Sequence, residues 1–109
     1  MNPAIIWRGS ITSSQEIGGT DPFYVRDIIV TPVTGQLVAE AVGHHSVFLQ
    51  HNYADLSLSY IVLVEFMAMD TEIIHLNRYF AAGDSLLIEH TAQGAPYSDP
   101  IAVHVTGEI

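Results

Sequence analysis

Six histidines, His44, His45, His51, His75, His90 and His104, give this 109-residue chain its widest chemical latitude. A zinc or iron site needs two or three ligands converging on one point, often with a carboxylate among them. Residues two apart in a strand share a face, so a His-x-His pair would be the local signature of such a site. The chain contains none. His45 and His51 have the same parity, but six residues of strand would hold them roughly 20 Å apart. No metal is expected on these grounds, and the imidazoles read as surface or interface groups. Grouped at a subunit contact, they would make assembly sensitive to pH between about 5 and 8.

Nucleophilic and acid–base chemistry fare no better. Ser46, Ser57, Ser59, Ser85 and Ser98 have no nucleophile-elbow motif around them. Asp84 lies close to the Glu89-His90 pair in sequence, yet adjacent residues of a strand point to opposite faces. Glu65 with Glu72 or Glu89 would supply two carboxylates for glycoside chemistry. Glu65 stands out because it interrupts an apolar run, and the simpler reading is an edge or solvent-facing position. Gly18-Gly19 fits no phosphate-binding loop. Trp7, Phe23, Tyr24, Tyr53, Tyr60, Tyr79 and Tyr97 invite a sugar platform, but aromatics in a small sandwich mostly fill its core. The expectation is a chain without catalytic residues, cofactor or metal.

Composition narrows the partners. Arg8, Arg26 and Arg78 are the only basic residues, against twelve carboxylates, for a net charge of −9. Three scattered arginines cannot neutralise a row of phosphates, which excludes nucleic acid, and an anionic membrane surface is disfavoured in the same way. Charged residues make up 14% of the chain, below the usual ~25%. Much uncharged surface is therefore left over, and partner subunits are expected to cover it. There is no cysteine, hence no disulfide framework and no thiolate chemistry. The segment MNPAIIWRGS lacks the features of a signal peptide. The most apolar window, Tyr60 to Met69, falls far short of the ~20 residues a spanning helix needs. These features predict cytoplasmic synthesis.

Whatever the side chains do, strands must position them. AIIWRGSI (4–11) predicts a first strand with Ile5 and Trp7 on one face. The polar, glycine-rich stretch TSSQEIGGTDP (12–22) reads as a flexible arm or loop. One domain is expected, with residues 1–22 as N-terminal strand and arm and residues 23–109 as the core. FYVRDIIV (23–30) alternates with a slip near Asp27 that a bulge would restore. LVAEAV (37–42), HSVFLQH (45–51), LSLSYIVLVEF (56–66), EIIHLNRYF (72–80), SLLIEHT (85–91) and IAVHVTGEI (101–109) complete about eight short strands. MAMDT (67–71), AAGD (81–84) and AQGAPYSDP (92–100) connect them. Helical periodicity is absent throughout. The fold class is all-β, an antiparallel β-sandwich of the jelly-roll type. An immunoglobulin-like sandwich is the alternative, although its cysteine pair is missing and Trp7 comes too early for its core tryptophan. Within 56–66 the polarity changes midway. The first half carries serines on one face, and the second half is apolar on both. A strand covered on both sides in so small a domain is either central or covered by a partner. Ile61, Leu63 and Glu65 are thus the expected interface, with Trp7, His44 and His45 as further candidates.

The last third, RYFAAGDSLLIEHTAQGAPYSDPIAVHVTGEI (78–109), resembles the closing strands of small jelly-roll accessory virion proteins of tailed bacteriophages. It shares an AGDxL turn, an IxH strand and a final PIxVxVxG strand. That family includes capsid decoration (cement) proteins and fibre modules. The resemblance implies a non-enzymatic homo-oligomer, often a trimer, that clamps other virion proteins such as the major capsid protein. It places the chain in the virion. A carbohydrate- or protein-binding module of a tail or fibre is the alternative. A cupin-like metal enzyme is a more distant one, since cupins bind metal through the His-x-His pattern missing here.

Overall fold

Residues 1–33, 45–55, 60–68, 70–92 and 100–109 are described by the structure, a computed structural model. They form β1 (Pro3–Ile11), β2 (Ser14–Gly18), β3 (Phe23–Pro32), β4 (His45–Asn52), β5 (Tyr60–Ala68), β6 (Glu72–Phe80), β7 (Ser85–Ala92) and β8 (Ile101–Glu108). One sheet has the order β1-β8-β3-β6 and the other β2-β7-β4-β5. All neighbouring strands are antiparallel. Chain neighbours are mostly dealt to opposite sheets, and the last strand is inserted between the first and third. That interleaving is the jelly-roll order. Among the described residues no helix is long and apolar enough to cross a membrane.

Period-two alternation fills the space between the sheets. Val25, Ile28 and Val30 of β3 and Val103 and Val105 of β8 meet Val47 and Leu49 of β4 and Leu86 and Ile88 of β7. Each such side chain contributes about 1.5–3 kcal/mol on leaving water. The slip expected near Asp27 is a β-bulge between Val25 and Asp27. It turns Arg26 and Asp27 away from the core and returns Ile28 to it. The partner strands accommodate it differently. On β6, Asn77 takes a left-handed backbone at φ 46°, which asparagine tolerates better than most residues. On β8, a Cβ at Gly107 would stand 1.8 Å from the Tyr24 carbonyl oxygen, so only glycine fits.

Three expectations need correction. A second bulge between Ile5 and Trp7 breaks the parity of β1. Ile6 and Trp7 pack against the core while Ile5 lies outside. Residues 12–22 are not a flexible arm, because Ser14–Gly18 is strand β2, paired with β7. Last, β5 is an edge strand among the described residues, which removes the central placement and leaves the partner-covered one of the two that the sequence allowed, and it runs through Met67 to Ala68, shortening the expected bend. The strand expected at 37–42, the start of that at 56–66 and most of the loop at 92–100 lie outside the described residues, as does His44.

Candidate functional site

Among the described residues the buried polar side chains are His45, His51, Asp84, Ser85 and His90. Three of the five described histidines are therefore inside the sandwich, against the expectation of surface or interface groups. The alternation of β4 explains two of them, since His45, Val47, Leu49 and His51 all point inward. The structure sorts the three into two separate networks.

The first lies at one end of the sandwich. His51 Nε2 is 2.8 Å from Asp84 Oδ2, and Arg78 Nε donates to His51 Nδ1 at 2.8 Å. A guanidinium can only donate, so Nδ1 must carry a lone pair. His51 is thus the neutral Nε2–H tautomer, and that proton is donated to the Asp84 carboxylate. A second Arg78 nitrogen donates to the Tyr53 hydroxyl at 2.8 Å. Asp84 also receives the Ala54 amide on Oδ1 at 3.0 Å, while its carbonyl accepts from Gly19 and its own amide donates to Ala81. Three connections, between β2 and β3, β4 and β5, and β6 and β7, therefore converge on one residue. Gly83, at φ 92°, supplies the positive backbone angle of the last of them and donates to Thr20. Burial pushes the Asp84 carboxyl up, but the bonds from Ala54 and His51 and the Ala81 backbone outweigh it and hold the group below its ordinary value of 3.8.

Rings stack through the same end. Phe23 lies on Phe80 at 4.8 Å, Phe80 on His51 at 4.1 Å, and His51 on Tyr53 at 4.1 Å. This column passes from the first sheet into the second, and Arg78 ties the edges of its last two rings together.

In the second network, His90 Nδ1 donates to the Thr12 carbonyl at 2.9 Å. A neutral His90 then accepts at Nε2, so His45 Nδ1 donates to it across 2.7 Å. These two residues join the β1–β2 connection to the centre of the second sheet.

Among the described residues the Asp84–His51 network holds no nucleophile. Asp84 and His51 reproduce the carboxylate–imidazole half of a triad, but Arg78 stands where a nucleophile would. The lone pair a general base needs is already engaged, and His51 is only 2% exposed. Ser85, adjacent to Asp84, donates instead to Glu16 at 2.7 Å. Among the described residues no group of three or more His, Cys, Asp or Glu is placed to hold a metal ion. Sequence reasoning considered Asp84 and His51 separately. The spacing of 33 residues between them offered no local signal.

The remaining candidates lie on the surface or against the core. Leu63, half-buried, packs on the core beside a bulge in β5, and Trp7 packs on the core from β1. His45 is inside. Ile61 and Glu65 are exposed on the edge strand, and Glu65 has the edge position that its sequence context suggested. The aromatic platform is dispersed. Phe23 and Tyr53 belong to the ring column, Tyr60 and Tyr79 are exposed on different sheets, and Tyr97 is outside the described residues.

The outer faces of the two sheets differ in charge. Arg8 and Arg26, with His75 and His104, lie on the outside of the first sheet, where Arg26 approaches Glu108 at 3.7 Å and His75 meets Asp27 at 2.6 Å. Across the second sheet, Ser14, Glu89, Phe48 and Glu65 form one row of register partners. Glu16 flanks them, and no described arginine or lysine shares that face. No family model matches the chain, and no curated protein matches it.

Proposed function

We propose that this chain is a non-enzymatic structural virion protein, a decoration or cement subunit that works as a homo-oligomer on a tailed-phage head. The observation that carries this reading is the edge strand β5. Tyr60, Ile61 and Val62 are 55%, 43% and 46% exposed, and Met67 further along is 43% exposed. The strand leaves one backbone edge unpaired within the described residues. A long, apolar, open edge is an aggregation hazard that proteins blunt with charge, proline or a cover. Along Tyr60–Ala68 the bulge at Leu63 and the single charge of Glu65 blunt the edge, and a partner subunit would supply a cover for its exposed apolar residues. The jelly-roll order, common among capsid proteins, is compatible with this role. So are the internal polar networks, which brace the fold. The trimer, the major capsid protein as partner and the virion as location are parts of the same proposal.

Light scattering and co-sedimentation test it together. Purified protein should be oligomeric and should pellet with preformed phage shells. A stable monomer that stays in the supernatant would refute the assignment.

A further inference from the structure

A groove of about 450 Å³ crosses the outside of the first sheet. Arg8 and Ser10 of β1, Ala102 and His104 of β8, and Ile29 and Thr31 of β3 line it. Register explains its make-up. Arg8 is opposite His104, which is opposite Ile29, which is opposite Ile73 on β6. Arg8 is exposed and makes no ion pair among the described residues, on a chain that has only three cations to its twelve carboxylates. Exposed Ile5 and Ile73 lie close by on the same face. A guanidinium without an ion pair at a concave seat that also offers the Ser10 and Thr31 hydroxyls and His104 is a receptor for a carboxylate, and arginine binds that group through two parallel hydrogen bonds.

The edge strand β5 has the converse pattern. Glu65 is exposed and unpaired among the described residues, it stands opposite Phe48, and the other exposed residues along its strand are the apolar Tyr60, Ile61, Val62 and Met67. One surface offers an arginine without an ion pair beside exposed isoleucines, and the other offers a carboxylate without one on an edge strand whose remaining exposed residues are apolar. They are on opposite sheets, so one molecule cannot join them to each other.

Resting on the assembly reading above, we propose that the Arg8 groove of one copy receives the β5 edge of the next, with Glu65 paired to Arg8. Such a contact is heterologous, using a different patch on each partner, and successive copies therefore close into a ring or continue as a filament. A cyclic trimer is one such closed ring.

Charge exchange tests the pairing. Both positions are exposed, so Arg8→Glu and Glu65→Arg leave the core untouched, and unchanged melting curves would verify this. Each single variant should weaken self-association at least about tenfold by sedimentation velocity. The double variant, Arg8→Glu with Glu65→Arg, should recover it. If both single variants assemble like the parent, this pairing is wrong while the assembly reading stands. A parent that is monomeric alone, yet loses shell binding on Arg8→Glu, would also overturn it, because the groove would then serve a shell carboxylate. A parent that is monomeric and ignores shells removes the assembly reading and this contact with it.

Discussion

Replacing Asp84 by asparagine changes one oxygen to nitrogen and leaves the shape of the side chain intact. The surrounding geometry should nevertheless make it costly. Asp84 accepts on both oxygens, from Ala54 N–H and from His51 Nε2–H. With its amide nitrogen toward His51, asparagine sets a donor against a donor. Should His51 change tautomer to relieve this, its Nδ1–H would face the Arg78 Nε–H that now donates to Nδ1. With the amide reversed, the nitrogen faces the Ala54 amide instead. All three placements leave one buried donor without an acceptor, at about 1–3 kcal/mol, and each also loses a charge-assisted bond of comparable worth. Arg78 is only half-buried, so water compensates part of the lost charge and values near the lower end apply. The expected total is about 3 kcal/mol. Urea denaturation should show it as a lower midpoint at unchanged slope. A double-variant cycle sharpens the test. Arg78→Met frees Nδ1, His51 can then change tautomer, and the two substitutions together should cost at least about 1 kcal/mol less than their sum. A loss below ~0.5 kcal/mol for Asp84→Asn, or strict additivity in the cycle, would show that the relay does not constrain the protonation states as described.

The remaining predictions concern pH and single positions. Because the folded protein holds Asp84 below 3.8, its contribution is complete above that value and fades as pH falls through the lower folded value. The stability gap between parent and Asp84→Asn should therefore be constant near neutrality and narrow only in acid below about pH 4, which urea titrations at several pH values would reveal. Gly107→Ala would press a methyl into the Tyr24 carbonyl and part β3 from β8. A loss of about 3 kcal/mol or more is expected by thermal melting. Val62→Lys on the exposed edge should alter monomer stability by less than ~0.5 kcal/mol yet reduce oligomer formation in light scattering.

Most strands were legible because a half-buried strand must alternate. Phe23, Val25 and Ile28 reveal both β3 and its bulge, since the apolar residues slip by one place at Asp27. β2 escaped notice for the opposite reason. An edge strand of five residues buries only Ile17, and SQEIG between turn residues has no period to detect. In β5, apolar residues on both faces have two physical causes, cover on both sides or an uncovered surface awaiting a partner. Composition cannot separate them, and strand order decides. The histidines depended on strand order too. His51 meets Asp84 and His45 meets His90 only because β4 pairs with β7, a pairing between segments some forty residues apart that no local pattern records. Parity placed His45 and His51 on one face, but did not tell which face was inward.

The position of β8 between β1 and β3 bears on how the molecule comes into being. A chain emerging from the ribosome presents β1 first, with Ile5, Ile6 and Trp7, and its hydrogen-bonding partner last. Until β8 is made, the first sheet has a slot in its middle and two ladders, β1–β8 and β3–β8, cannot close. Such non-local closure is slow compared with local contacts. Nascent chains would wait with β1 and β3 open to wrong partners, including one another. Loss of β8 is accordingly no trimming of an edge. It would split a sheet through its centre and leave neither half with a complete face to bury.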